Sequence, residues 1–160
     1  MKKTVKFEKK FMRKAVELSI MNVAGGGGPF GAVIVKSGKV ISEGVNNVTR
    51  KNDPTAHAEV VAIREASKKL KTFDLKGCEI YTSCEPCPMC LSAIYWANID
   101  RIYFANTKKD AAKIGFRDDH IYKELATPLN RRAIPTKQEM RDEALKAFEL
   151  WEYKEDKISY

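Results

Sequence analysis

The sequence predicts an α/β protein, a three-layer α/β/α sandwich with a mixed central sheet and helices on both faces. Three observations carry this. Segments with a helical apolar period alternate with short strand-like runs along most of the chain. Two of these runs are joined by Ser37-Gly38, a hairpin signal, which makes that pair antiparallel. Two others, at 78–82 and 101–105, flank a helical stretch, and such a strand-helix-strand unit implies parallel pairing.

The elements follow in order. Phe7, Phe11 and Leu18 recur at helical spacing, and Val16, Ile20 and Val23 widen the stripe, so a first helix is expected over about 6–23. Gly25 to Gly28 end it. Phe30 to Lys36 and Lys39 to Asn46 read as the hairpin strands. Asp53, Pro54 and Thr55 break the chain before a helix from about Ala56 to Leu70. Cys78 to Thr82 reads as a strand, Pro88 to Ala97 as a helix and Arg101 to Ala105 as a strand. Residues 108–124 look helical with an interruption at Gly115, and Pro128 and Pro135 bracket an irregular connector. Thr136 with Glu139 spells a capping box, after which Met140, Ala144, Ala147, Phe148 and Trp151 line one stripe of a last helix.

A chain of 160 residues with 44% hydrophobic content is expected to form one domain over 1–160, with a core large enough to fold unaided. No stretch approaches the ~18 apolar residues of a membrane span, and the basic start lacks the apolar run of a secretory signal. A cytoplasmic protein is expected. Four cysteines, at least two of them wanted as thiolates, fit a reducing compartment. The net charge of +8 is unevenly placed: residues 1–14 hold Lys2, Lys3, Lys6, Lys9, Lys10, Arg13 and Lys14 against Glu8, leaving +2 over the rest. A nucleic-acid binder spreads its cations along the face that tracks phosphates, so nucleic acid is not the expected partner.

The chemistry lies in His57-Ala58-Glu59 and, with 26 residues between, Pro86-Cys87-Pro88-Met89-Cys90. One histidine and two cysteines make three zinc ligands, and a catalytic zinc site keeps its fourth position for water, whereas a structural one is closed by four protein ligands. Zinc lowers the pKa of water from ~16 to about 7. Glu59, kept off the metal, is placed to take the water proton and pass it to a ring nitrogen and then to a leaving amine. This pattern is the known signature of zinc nucleobase deaminases, which release ammonia from an amidine-like ring carbon.

Residues two apart on a helix point to nearly opposite sides, so the metal should lie off a helix N-terminus, not beside a helix. Pro88 suits the first helical position, which makes Cys87 the cap and puts Cys90 in the first turn, near the positive end of the helix dipole. Other readings compete. A closed structural site would need Cys84 or Cys78 as fourth ligand, and a redox Cys-x-x-Cys would leave His57 and Glu59 idle.

The flanking residues resemble the cytidine deaminase superfamily, most of all its guanine deaminase branch. The resemblance runs through Gly-Gly-Pro-Phe-Gly-Ala-Val-Ile-Val ending at Val35, Asn46-Asn47-Val48-Thr49, Asn52 to Glu59, Tyr81 to Trp96, and Gly115-Phe116 followed by Asp118 and Ile121 to Glu124. It implies a cytidine deaminase-like fold, one zinc per chain on His57, Cys87 and Cys90, and hydrolysis of guanine to xanthine and ammonia with Glu59 as proton shuttle. It further implies that Asn46 and the Ala58 amide hold the purine, that Asp118 faces the departing amine, that Phe30 and Trp96 wall the ring, and that Tyr160 closes the pocket, from the partner subunit in some assemblies. Arg117-Asp118-Asp119 departs from the branch's usual Gly-Phe-Asp-Asp, which leaves Asp118 and Asp119 as competing candidates.

Each of these residues has a plainer reading: Asn46 as a turn former, Asp118 and Asp119 as solvated loop acids, Phe30 and Trp96 as core. The rival activity is tRNA adenosine deamination, which shares fold and metal but needs phosphate contacts beyond the N-terminal segment. Cytosine, guanosine or another free base or nucleoside is a further alternative. A homodimer is expected, because the last helix has an apolar stripe that needs a partner, and exchange of residues 136–160 between subunits would bury it.

Overall fold

A computed structural model describes residues 6–116 and 118–160; Lys2, Lys3 and Arg117 lie outside them. In chain order the elements are α1 (Lys9–Ala24), β1 (Gly31–Lys36), β2 (Lys39–Val45), α2 (Val48–Lys51), α3 (Ala58–Leu70), β3 (Cys78–Cys84), α4 (Pro88–Trp96), β4 (Arg101–Asn106), α5 (Lys108–Lys113), α6 (Asp119–Ala126), a 3-10 turn (Leu129–Arg131) and α7 (Arg141–Glu152). They fall into two compact units, Met1–Asp119 and His120–Tyr160.

The first unit is built on a four-stranded sheet of order β2-β1-β3-β4. β1 pairs antiparallel with β2 and with β3, while β3 pairs parallel with β4, so the sheet is mixed as the hairpin and crossover require. The hairpin turns on Ser37 and Gly38, at φ 51° and 73°, the two positive values a type I′ turn demands. Side-chain parity then sorts the core. Ala32 and Ile34 of β1 join Ile80 of β3 against Ala58, Ala62 and Ala66 of α3 and Ile94 of α4. Val33 and Val35 point the other way, with Tyr81, onto Phe11 and Ala15 of α1. Helices therefore cover both faces, and β3 is buried along its whole length. Gly44 lets α3 lie on β2: a Cβ there would sit 2.1 Å from the Ala58 carbonyl oxygen.

Several boundaries differ from the sequence expectation. α1 begins at Lys9, because Phe7 precedes the helix and meets the Tyr103 ring edge-on at 5.5 Å. β3 continues to Cys84, which pairs with Asn106, and a short α2 forms where no helix was expected. The capping box expected at Thr136 and Glu139 does not form. Thr136 donates its hydroxyl to the Ile134 carbonyl, Glu139 pairs with Lys137, and α7 is entered instead through Met140 at φ 53°. The same side-chain pattern closes at Thr107 and Asp110, which exchange hydrogen bonds at 3.3 and 3.0 Å to start α5.

In the second unit, Arg132 donates to the Thr127 carbonyl at 2.9 Å and the Ala133 amide to Glu124 at 2.8 Å, which folds the connector onto α6. No residue of α7 is buried. Among the described residues, no helix is long and apolar enough to cross a membrane.

Candidate functional site

Two helix N-termini supply the site. His57 caps α3, with Ala58 as its first helical residue and Glu59 in the first turn. Cys87 caps α4, with Pro88 at the first position and Cys90 at the third. Their convergence places His57 Nδ1 3.5 Å from Cys87 Sγ and 3.5 Å from Cys90 Sγ. Tetrahedral zinc with Zn–S of about 2.3 Å and Zn–N of about 2.0 Å sets such ligand atoms roughly 3.6 Å apart. The three ligand atoms all lie within 4.8 Å of one another, and the donor set fits zinc in type and spacing.

Protonation in the triad supports the same reading. Cys87 is held down to about 4, first by the hydrogen bond from the Cys90 thiol and then, against the opposing effect of burial, by His57. Cys90 is pushed up by its bond to Cys87 and by burial, so the two sulfurs alone share one proton. A bound dication is what makes a second thiolate affordable. His57 is raised by Cys87, against the lowering effect of burial.

Glu59 is 5% exposed and no ligand, yet it sits against the triad, with Oε2 accepting from Cys90 Sγ at 3.3 Å. Burial pushes its carboxyl up. Its other oxygen, Oε1, lies 3.1 Å from the Thr82 hydroxyl, which is also 3.1 Å from the Cys84 carbonyl. Thr82 can thus donate to an ionised Glu59, or accept from a protonated one while donating to Cys84. Sequence reasoning missed Thr82. The usable signal was parity, since Thr82 shares the sheet face of Ile80, which α3 covers.

The remaining candidates are placed as follows. Asn46 leaves β2 almost fully buried, its Oδ1 accepting from the Val48 amide at 3.3 Å, so the turn-forming role is real and leaves the amino end for a ligand. Ala58 is buried, and its amide is among those a helix leaves without an intrahelical partner. Asp118 is half-buried, and its charge acts on both His57 and Cys84, whereas Asp119 is exposed in the first turn of α6. Phe30 packs on the core and meets the Phe116 ring edge-on at 4.8 Å, a contact the sequence did not reveal. Trp96 is not brought to the triad: it ends α4, six residues past Cys90 and 67% exposed. Cys84 is directed elsewhere, its sulfur 3.7 Å from the Thr107 carbonyl, and Cys78 is buried at the start of β3. Tyr160 is exposed in the second unit.

The model of the cytidine and deoxycytidylate deaminase zinc-binding region matches residues 5–106. The chain belongs to that family. Within it, the chain is 53% identical to guanine deaminase of Bacillus subtilis over 151 residues, 94% of this chain and 97% of the relative. The crystal structure of guanine deaminase from Bacillus subtilis matches with a TM-score of 0.93 at 51% identity, covering 97% and 99% of the two chains. A guanine deaminase structure from Nitrosomonas europaea follows at a TM-score of 0.68 and 35% identity, over 71% of this chain and 66% of that one. The tRNA-specific adenosine deaminase of Aquifex aeolicus is 47% identical, but over 81 residues, 51% of this chain and 54% of the relative.

Proposed function

We propose that this chain is a zinc-dependent guanine deaminase, hydrolysing guanine to xanthine and ammonia. The observation that carries deamination is Glu59, a buried carboxylate that touches the metal triad without joining it. A structural metal site has no use for such a group. The base is carried by a likeness to guanine deaminase over 151 residues, which reaches through both units. On this reading the two units make one deaminase domain.

His57, Cys87 and Cys90 would hold one zinc per chain, whose Lewis acidity would bring the pKa of water from ~16 to about 7. Glu59 then accepts the water proton and delivers it to a ring nitrogen, and next takes the proton of the hydroxyl added at C2 and passes it to the amine, so that the C2–N bond breaks with release of ammonia as the C2 carbonyl forms. Asn46 offers its carboxamide amino group to a purine acceptor, and the Ala58 amide offers a second donor. Asp118 accepts from the departing amine and raises His57 by its charge. Phe30 and Phe116 form an apolar wall for the ring.

The active species is a homodimer. α7 leaves Phe148 at 74% exposure and Trp151 at 44%, a stripe that a second copy covers by exchange of residues 136–160, with Tyr160 closing the neighbour's pocket. A cytoplasmic location fits this reading, since four free thiols suit a reducing compartment.

Ammonia release from guanine, guanosine, adenine, adenosine, cytosine and a tRNA anticodon hairpin tests this reading. Guanine should be fastest. Faster deamination of the tRNA adenosine would overturn it.

A further inference from the structure

We propose that Asn22, on α1, is a positioning residue for substrate recognition and acts through Asn46; the inference rests on the reading of Asn46 as a purine ligand. Asn22 is 4% exposed, and its side-chain amino group donates to the Gly28 carbonyl at 2.7 Å and to the Asn46 carbonyl at 2.9 Å. One NH2 therefore fastens two segments that are far apart in sequence, the loop leading to Phe30 and the residue leaving β2. Asn46 is also held from its other side, its amide donating to the Phe30 carbonyl at 3.2 Å. Both its backbone groups are thus tied, and its Oδ1 accepts from the Val48 amide at 3.3 Å, so the Asn46 carboxamide stands on a backbone that Asn22 helps to place.

The glycine loop is shaped around this contact. A Cβ on Gly27 would lie 2.5 Å from Asn22 Nδ2, and one on Gly28 would lie 3.0 Å from Asn46 Cγ. The Gly27 amide donates in turn to the Asn22 backbone carbonyl at 2.8 Å, and Arg50 ties the Gly25 carbonyl at 2.8 Å. An apolar residue at the Asn22 position would leave the half-buried Gly28 carbonyl and the buried Asn46 carbonyl without this donor. They would turn toward other partners, and the Asn46 side chain with them.

The test compares Asn22→Leu, which has the same number of side-chain heavy atoms but no donors, with Gly27→Ala, which keeps the donors and displaces them. Guanine kinetics, zinc content and melting temperature are measured for each, alone and combined with Asn46→Ala. Each single variant should raise the guanine KM about tenfold with kcat within about threefold and zinc unchanged, since uniform binding is what is lost. In the Asn46→Ala background each should add less than about twofold, because residues acting through one another are not additive. A purely structural Asn22 would lower melting temperature and active fraction while leaving KM alone, and this outcome overturns the inference. So does an equal KM increase in both backgrounds. If Asn22→Leu does not fold, Gly27→Ala decides by the same criteria. An unchanged KM for Asn46→Ala by itself would instead remove the Asn46 reading, and the inference with it.

Discussion

The sheet unit and residues 120–160 place their apolar side chains in opposite ways. In the first, β3 is buried from Cys78 to Cys84 and α1, α3 and α4 each press an apolar face onto the sheet. In the second, α7 has Phe148, Leu150 and Trp151 and buries none of its residues. An isolated helix of 12 residues is marginal in water, so α7 depends on cover for its stripe, while the first unit has its own core. The metal ligands and Glu59 all lie in the first unit. Metal, carboxylate and sheet should therefore respond together to mutation, and the C-terminal residues should respond separately.

The largest effect should come from Cys90→Ala. Zinc should fall from one per chain to near zero, with loss of activity and a lower melting temperature, because metal binding is coupled to folding. Metal analysis and thermal melting check this, and a variant that retains its zinc breaks the triad assignment. The wild type adds a pH test. Cys90 holds its proton in the metal-free protein and must lose it to bind, so zinc affinity should rise about tenfold per pH unit near neutrality. His57 is also raised, so below its pKa a second proton must leave and the slope should approach about two. Competition with a chelator of known affinity measures both slopes.

Next in size is Glu59→Gln, which should keep zinc and lose at least ~10² to 10⁴-fold in turnover. Near wild-type activity would remove Glu59 from the chemistry. Deleting Ile158 to Tyr160 should cost roughly tenfold in activity while zinc and the melting of the first unit stay unchanged, as expected of a closing element that excludes water. Full activity after truncation would end the lid reading. Sedimentation of Trp151→Ala sharpens the comparison further: a shift from dimer to monomer identifies a second copy as the cover for the α7 stripe. The smallest effect should be that of Thr82→Val, a several-fold fall in kcat with zinc retained and rescue by Thr82→Ser, since a typical intramolecular hydrogen bond contributes about 0.5–1.5 kcal/mol net.

How far the sequence reached differs between these features. The mixed sheet was legible because its signals are local: two positive-φ positions at Ser37-Gly38 and one crossover between β3 and β4. The ligand set was legible for the same reason. His57 and Cys87 are caps and Cys90 a first-turn residue, so a few consecutive residues determine where each donor points. The capping-box pattern at Thr136 misled because an equally short-range bond, Lys137 with Glu139, took the acidic partner away.

What the sequence determined by itself is thus what neighbouring residues decide: the elements, their parity and the chemical identity of the metal site. Only the tertiary structure decided that Thr82 meets Glu59 across 23 residues, that Asn22 reaches Asn46 across 24, that Phe116 faces Phe30, and that the charge of Asp118 acts on His57. It also placed Trp96 two turns beyond the metal ligands, at the exposed end of α4. The physical reason is that a threonine, an asparagine or a phenylalanine takes its role from whatever packing brings opposite it. No pattern along the chain records that choice, whereas a cap or a turn is settled by backbone geometry within four or five residues.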